Sequence, residues 1–215
     1  MPPALIFVVA LVLVMAVLLV VAWRKERTRT EELRRVAATA GFVFQAKGDL
    51  AALRALGAVP LFERGHSRRV RNLMTGRIGD EQLAVFDYRY SVGSGKSQRT
   101  RTQTVVLLHS AGRLLPELQM FPENPVTRLA EKFGFQDIDI DSSPEFSRRY
   151  VVRGKDEHAI RAALAARATS YFAAHEGWTV EARSGTVAIY REDRRPKPQD
   201  LRAFIEEACT AARNL

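Results

Sequence analysis

The sequence contains one cysteine, Cys209, and no charged side chain in its first 23 residues. A lone cysteine excludes an internal disulfide framework and agrees with a reducing compartment. His66, His109, His158 and His175 are dispersed, with no His-x-x-His or His-Glu-x-x-His spacing, so zinc is not signalled. No Gly-x-Ser-x-Gly elbow occurs. Gly93-Ser94-Gly95-Lys96-Ser97 has the look of a phosphate-binding loop. However, Tyr90 stands where that motif needs glycine, and a strand pattern follows where it needs a helix. It reads as a hairpin loop. These absences leave no catalytic residue and no cofactor or metal site to nominate.

What is present begins with residues 4–23, ALIFVVALVLVMAVLLVVAW, an uncharged run holding seven Val, five Leu, one Ile and one Phe. Twenty residues at about 1.5 Å rise span roughly 30 Å, the hydrocarbon thickness of a bilayer. Trp23 stands at the interface position, followed at once by Arg24, Lys25, Arg27 and Arg29. A cleaved signal peptide would want a basic N-terminal region, a shorter apolar core and a small-x-small site. Met1-Pro2-Pro3 and Val20-Val21-Ala22-Trp23 supply none of these. The expectation is a single-pass anchor over 1–23. Because all nearby positive charge follows the span, the N-terminus is expected outside and the domain in the cytoplasm. The run carries no ionisable residue to mark an ion path and no Gly-x-x-x-Gly for helix pairing.

Residues 24–41 read as a basic juxtamembrane helix. Thr28 and Glu31 fit a capping box, Leu33, Val36, Ala37 and Ala40 recur at helical spacing, and Gly41 ends it. Residues 42–215 read as one domain. Asp49 can cap a short helix ended by Gly57, and strands are expected at 59–63, 67–74, 82–92, 100–110 and 117–121 with turn signals between them. A helix follows over 124–134, then strands at 135–140 and 148–152 and a helix from 156 to about 175. A hairpin around Ser184-Gly185 and a last helix after Pro196 and Pro198 complete the chain. Short connections imply antiparallel neighbours, so the fold class is α+β: a mainly antiparallel sheet with helices covering one face.

Phe86-Asp87-Tyr88-Arg89-Tyr90, Gln103-Thr104-Val105-Val106, Leu115-Pro116, Phe121-Pro122-Glu123, Asp137-Ile138 and Phe146-Ser147-Arg148-Arg149-Tyr150 together carry a family resemblance. In these the chain resembles a group of uncharacterised bacterial single-pass membrane-anchored proteins. The resemblance implies membrane location and a single soluble domain, and brings no activity with it.

Three constellations remain. Asp137, Asp139 and Asp141 share one side of an extended segment, as a hard cation would need. The same alternation also marks a strand with one wet face, and Ser142 and Arg148 depart from a calcium loop. Asp87, between two aromatics, reads either as a general base or as the partner of a neighbouring surface arginine, the second being the commoner case. The charge is the strongest lead. The net is +9, but residues 61–113 hold ten basic against four acidic groups while 117–147 hold two against seven. Arg64, Arg68, Arg69, Arg71 and Arg77 surround one strand, and Lys96, Arg99 and Arg101 flank the next hairpin. Brought together they would attract anions, and three readings stand: a plain solvated sheet face, which is the commonest case, contact with anionic lipid headgroups, or nucleic acid with Tyr88 and Tyr90 to stack on. No RNP-type or helix-turn-helix signal supports the last of these. The expected role is a non-enzymatic binding or scaffold domain at the membrane face. A tethered hydrolase is the rival, to be favoured by a deep pocket of convergent polar groups.

Overall fold

The computed structural model describes residues 3–123, 137–140 and 143–215. The helix expected at 124–134, and Asp141, lie outside them.

The chain begins with one helix, α1 (Pro3–Thr39), 37 residues long and so about 55 Å. The capping box at Thr28 does not interrupt it. Instead Thr30 bonds back to the Glu26 carbonyl at 2.9 Å, and the expected anchor and juxtamembrane helix are continuous. Residues 7–25 are all exposed, whereas Leu33 and Ala37 are buried. α1 is the one helix among the described residues that is long and apolar enough to cross a membrane. It stops as the sequence requires. Gly41 adopts φ +73°, the Phe42 amide reaches back to the Ala37 carbonyl (2.9 Å) and Gly41 to Ala38 (3.3 Å), a Schellman closure.

The strands are β1 (Val43–Lys47), β2 (His66–Ile78), β3 (Glu81–Val92), β4 (Arg99–His109), β5 (Leu118–Pro122), β6 (Tyr150–Gly154), β7 (Thr179–Arg183) and β8 (Thr186–Tyr190). They form one eight-stranded sheet in the order β1-β2-β3-β4-β8-β7-β5-β6, every pairing antiparallel. The α+β class is therefore as expected. The helices are α2 (Leu50–Leu56), the single turn α3 (Pro144–Ser147), α4 (Glu157–Ala163), α5 (Ala166–Ala174) and α6 (Leu201–Arg213).

Both faces of the sheet are covered, not one. The larger core gathers Leu33, Val85, Val106, Ile160, Phe172 and Phe204 under α1 and α3–α6. The second gathers Leu53, Leu61, Phe62, Phe86, Tyr88 and Tyr190 under α2 and a 3-10 turn at Pro60–Phe62. That turn replaces the strand expected at 59–63. Pro60 has no amide for a ladder, and the Leu61 amide is spent on the buried Glu181 carboxylate. The helix expected over 156–175 is two, broken at Leu164 (φ −92°, ψ 43°). Its apolar stripe, Ile160, Leu164, Ala168 and Phe172, repeats every four residues. On a straight helix such a stripe drifts about 40° per step, so the break lets all four stay buried. Asp137 makes only an isolated bridge to Arg153, so no strand forms over the described part of 135–140.

Candidate functional site

The site is built where α1 leaves the domain, on the sheet face it covers. Two irregularities of β2 shape it. Along β2 and β3 the partners run Arg69↔Arg89, Arg71↔Asp87, then Met74↔Val85, so three steps on β2 oppose two on β3. The extra residue is a bulge at Asn72, which takes the left-handed conformation (φ +51°) that asparagine tolerates. The bulge turns Asn72 inward, where its Nδ2 donates to Asp87 Oδ2 at 2.9 Å. A second bulge, at Ser67 (φ +53°), lies between the His66 and Arg69 pairings.

Asp87 is 5 % exposed and is the hub. Arg29, on α1 and 58 positions earlier, clamps it with both ends of its fork, Nε to Oδ2 at 2.9 Å and Nη2 to Oδ1 at 3.0 Å. Thr104 on β4 donates to Oδ1 at 2.7 Å. Arg29 Nη1 also donates to the Pro196 carbonyl at 2.7 Å, tying in the segment after β8. One turn nearer the span, Glu26 receives both ends of Arg195, at 3.0 and 2.6 Å. The surface pair expected for Asp87 is therefore a buried one, with a partner on another element. Burial pushes the Asp87 carboxyl up, but the hydrogen bonds and charge of Arg29, with Asn72 and Thr104, outweigh it and hold the carboxyl below the usual carboxylate range. Arg195 holds Glu26 low as well, against a smaller opposing effect of burial.

Beside this clamp opens a cleft of about 160 Å³ lined by Glu26, Arg69, Arg71, Asp87, Arg89, Thr102 and Arg195. It continues past Arg69 and Arg89 into a polar hollow lined by Ser67, Ser91, Gln98 and Thr100. Arg69 and Arg89 are directly opposite one another on the ladder, both exposed, and neither makes a hydrogen bond or ion pair among the described residues. The same holds of Arg71. Like charges set opposite across two strands repel.

The structure disperses the other basic candidates. Arg68 is used by the main chain, donating to the carbonyls of Glu63, Arg64 and Gly65. Arg77 lies at the far end of β2, on the Asp80 carbonyl. Arg101 pairs with Asp193 and, like Arg99, sits on the opposite face of the sheet: β4 puts Arg101 across from Tyr90 and Arg99 across from Val92. Arg64 is drawn into the second core beside Glu181, at 2.8 Å. Lys96 is exposed at the tip of the β3–β4 hairpin, where Gly95–Ser97 form a 3-10 turn and β4 follows, as the hairpin reading expected. Arg195, Asn72 and Glu26 carry no signal in the sequence, where Arg29 reads only as a juxtamembrane charge and Arg89 only as part of the Phe86–Tyr90 stretch. Only the register of β2 on β3 and the path of α1 bring them together.

Tyr88 and Tyr90 are buried in the second core, which leaves them no face for stacking a base. Asp137 is paired with Arg153 at 2.7 Å. Among the described residues, no group of three or more His, Cys, Asp or Glu gathers in a way that could hold a metal ion. Cys209 lies buried on α6, and burial pushes its thiol up.

No family model matches the chain, and no curated protein does. Among solved structures it is similar to the crystal structure of the mycobacterial trehalose monomycolate transport factor A, TtfA, with a TM-score of 0.61 over 87 % of this chain and 92 % of that one. The two are 13 % identical, so what the likeness shows is a shared fold.

Proposed function

We propose that the protein is a membrane-anchored, non-enzymatic binding and scaffold module, with its N-terminus outside and residues 24–215 at the cytoplasmic face. The observation that carries this is the continuity of α1. One unbroken helix passes from the apolar run into the domain, where Arg29 locks it to Asp87 and Arg195 locks to Glu26. A tether meant only to hold a freely tumbling domain would need no such lock. The module presents one fixed face to the bilayer, and anionic lipid or a protein partner is met there.

The chemistry of the cleft favours binding over turnover. A general base working near neutrality needs a carboxyl raised toward that range, whereas Asp87 and Glu26 are both held low and already spoken for by arginines. The cleft is also small for a substrate pocket, at about 160 Å³ against the several hundred usual for ligands. TtfA is named a transport factor. An accessory role beside a membrane process, not a catalytic one, is what this reading takes from that likeness.

Impermeant maleimide labelling of the full chain carrying Leu114→Cys, 95 % exposed beyond the end of β4 away from the hairpin tip, tests the topology. Labelling is expected only after the cells are permeabilised. Labelling in intact cells would place the domain outside and end this reading.

A further inference from the structure

α1 and β3 run side by side in opposite senses, and their levels can be matched. Ala37 binds Phe42, whose ring lies over Gly76, and Gly76 is the ladder partner of Leu83. Arg29 is at the level of Asp87, and Glu26 shares the cleft with Arg89. From Ala37 to Arg29 the helix rises about 12 Å, and from Leu83 to Asp87 the strand rises about 14 Å, so the two keep pace. Toward the membrane, Trp23 is only about 4.5 Å beyond Glu26 along α1. From Arg89 to the start of the hairpin tip at Gly93, β3 advances about 14 Å in the same direction. The cleft therefore lies within one helical turn of the interface marker Trp23, and the hairpin tip with Lys96 reaches past it.

The cleft is also short of anions. Five guanidiniums, those of Arg29, Arg69, Arg71, Arg89 and Arg195, converge on two carboxylates, Asp87 and Glu26, which Arg29 and Arg195 already occupy. Arg69, Arg71 and Arg89 remain, with the first and third directly opposed. Hydroxyls border the opposed pair: Thr102 opposite Arg89 on β4, and Ser91 opposite Thr100 one step nearer the membrane. Opposed forks plus hydroxyl donors suit an oxygen-rich monoanion, and the depth supplies one.

We propose that Arg69 and Arg89 seat the phosphate of an anionic phospholipid headgroup in the cytoplasmic leaflet, with Thr102 and the mutually hydrogen-bonded Ser91 and Thr100 hydroxyls (3.2 Å), one of which keeps a free proton, beside it and Lys96 entering the headgroup layer. The seat depends on the anchored reading above, since only that arrangement places the cleft at headgroup depth. The headgroup phosphate offsets the repulsion between the two arginines, so lipid binding and domain stability are linked. Phosphatidylcholine carries the same phosphate, but its choline cation would be set against Arg71 and Lys96, so only a net-anionic headgroup fills the seat.

The test uses the full chain in nanodiscs of phosphatidylcholine, alone or in a roughly 2:1 mixture with phosphatidylglycerol. The Tm of the domain is expected to rise by about 3–5 °C in the mixed discs. Arg69→Gln with Arg89→Gln is expected to lose that rise, and Arg77→Gln, at the far end of β2, to keep it. Should the glutamine pair disturb folding, Arg69→Lys with Arg89→Lys retains the charge but not the fork and is expected to lose more than half of the rise. No rise in the wild type, a full rise in either double variant, or loss of the rise in Arg77→Gln overturns the assignment. So does an equal rise produced by inorganic phosphate in phosphatidylcholine discs, which would mark a site for soluble anions. Protein that fails to stay in either disc sinks the anchored reading itself. Protein retained in both discs without a lipid-dependent rise sinks the phosphate seat alone.

Discussion

Two carboxylates, Asp87 and Glu181, are buried on opposite faces of the same sheet, and what surrounds them differs. Glu181, fully buried, takes the Leu61 amide at 2.5 Å, the Tyr190 hydroxyl at 2.8 Å and Arg64 at 2.8 Å, and so fastens the 3-10 turn over the second core. Burial drives the Tyr190 phenol beside it well above its usual value. Asp87 is nearly as buried, but its clamp fastens the helix that carries the span-length apolar run, and a cleft with unpaired arginines opens next to it. One network closes a core. The other joins a domain to its long apolar helix and leaves charge in reserve.

That contrast can be broken most forcefully at Glu181. Glu181→Ala leaves the buried Leu61 amide without its acceptor, takes the nearest carboxylate from Arg64 and leaves a cavity, so a loss of about 3–4 kcal/mol is expected in chemical denaturation. Asp87→Asn keeps the volume but leaves Arg29, whose side chain is 11 % exposed, facing a neutral amide. About 3 kcal/mol is expected, and it should fall on the junction between α1 and the sheet. Hydrogen exchange should then quicken at residues 26–37 and remain slow in β7 and β8. Equal quickening in both places would mean that the two networks do the same job.

Acid sharpens the comparison further. Asp87 and Glu26 both titrate below their ordinary values of 3.8 and 4.5. The closed clamp therefore binds fewer protons than the open one. Its contribution is whole above those ordinary values and is lost as pH falls through the lowered ones. The distance between labels on α1 and on the β3–β4 hairpin should hold steady from neutral pH to about pH 4 and lengthen below it. The smallest expected effect has the opposite sign. In neutral detergent, Arg89→Gln removes a cross-strand repulsion and should stabilise the domain by about 0.5 kcal/mol, read as a slightly higher Tm. A loss of stability would show that Arg89 has a protein partner.

Much of the frame is legible along the chain because its signals are local. Asp49 caps α2 through the Ala51 amide at 2.8 Å, Gly41 stops α1, and Ser184-Gly185 turns the β7–β8 hairpin. The site is not legible in that way. Parity along one strand shows that Arg69 and Arg71 share a face, and that Arg99 and Arg101 do. It does not show which face each pair shares with its neighbour. The bulge at Asn72 sets that register: it places Arg69 against Arg89 and leaves Arg99 and Arg101 on the other side of the sheet. Arg29 looked like one of several juxtamembrane charges because its partner is 58 residues away.

Residues 4–23 by themselves determined that this chain carries a span-length apolar segment, since twenty uncharged residues have that length and solvation preference whatever they are attached to. Alternation and turn chemistry likewise determined an antiparallel α+β domain after it. Tertiary structure alone decided which basic side chains among the described residues are consumed by carboxylates and carbonyls and which stand free. Coulomb attraction and desolvation depend on separation in space, and separation in the sequence says little about it.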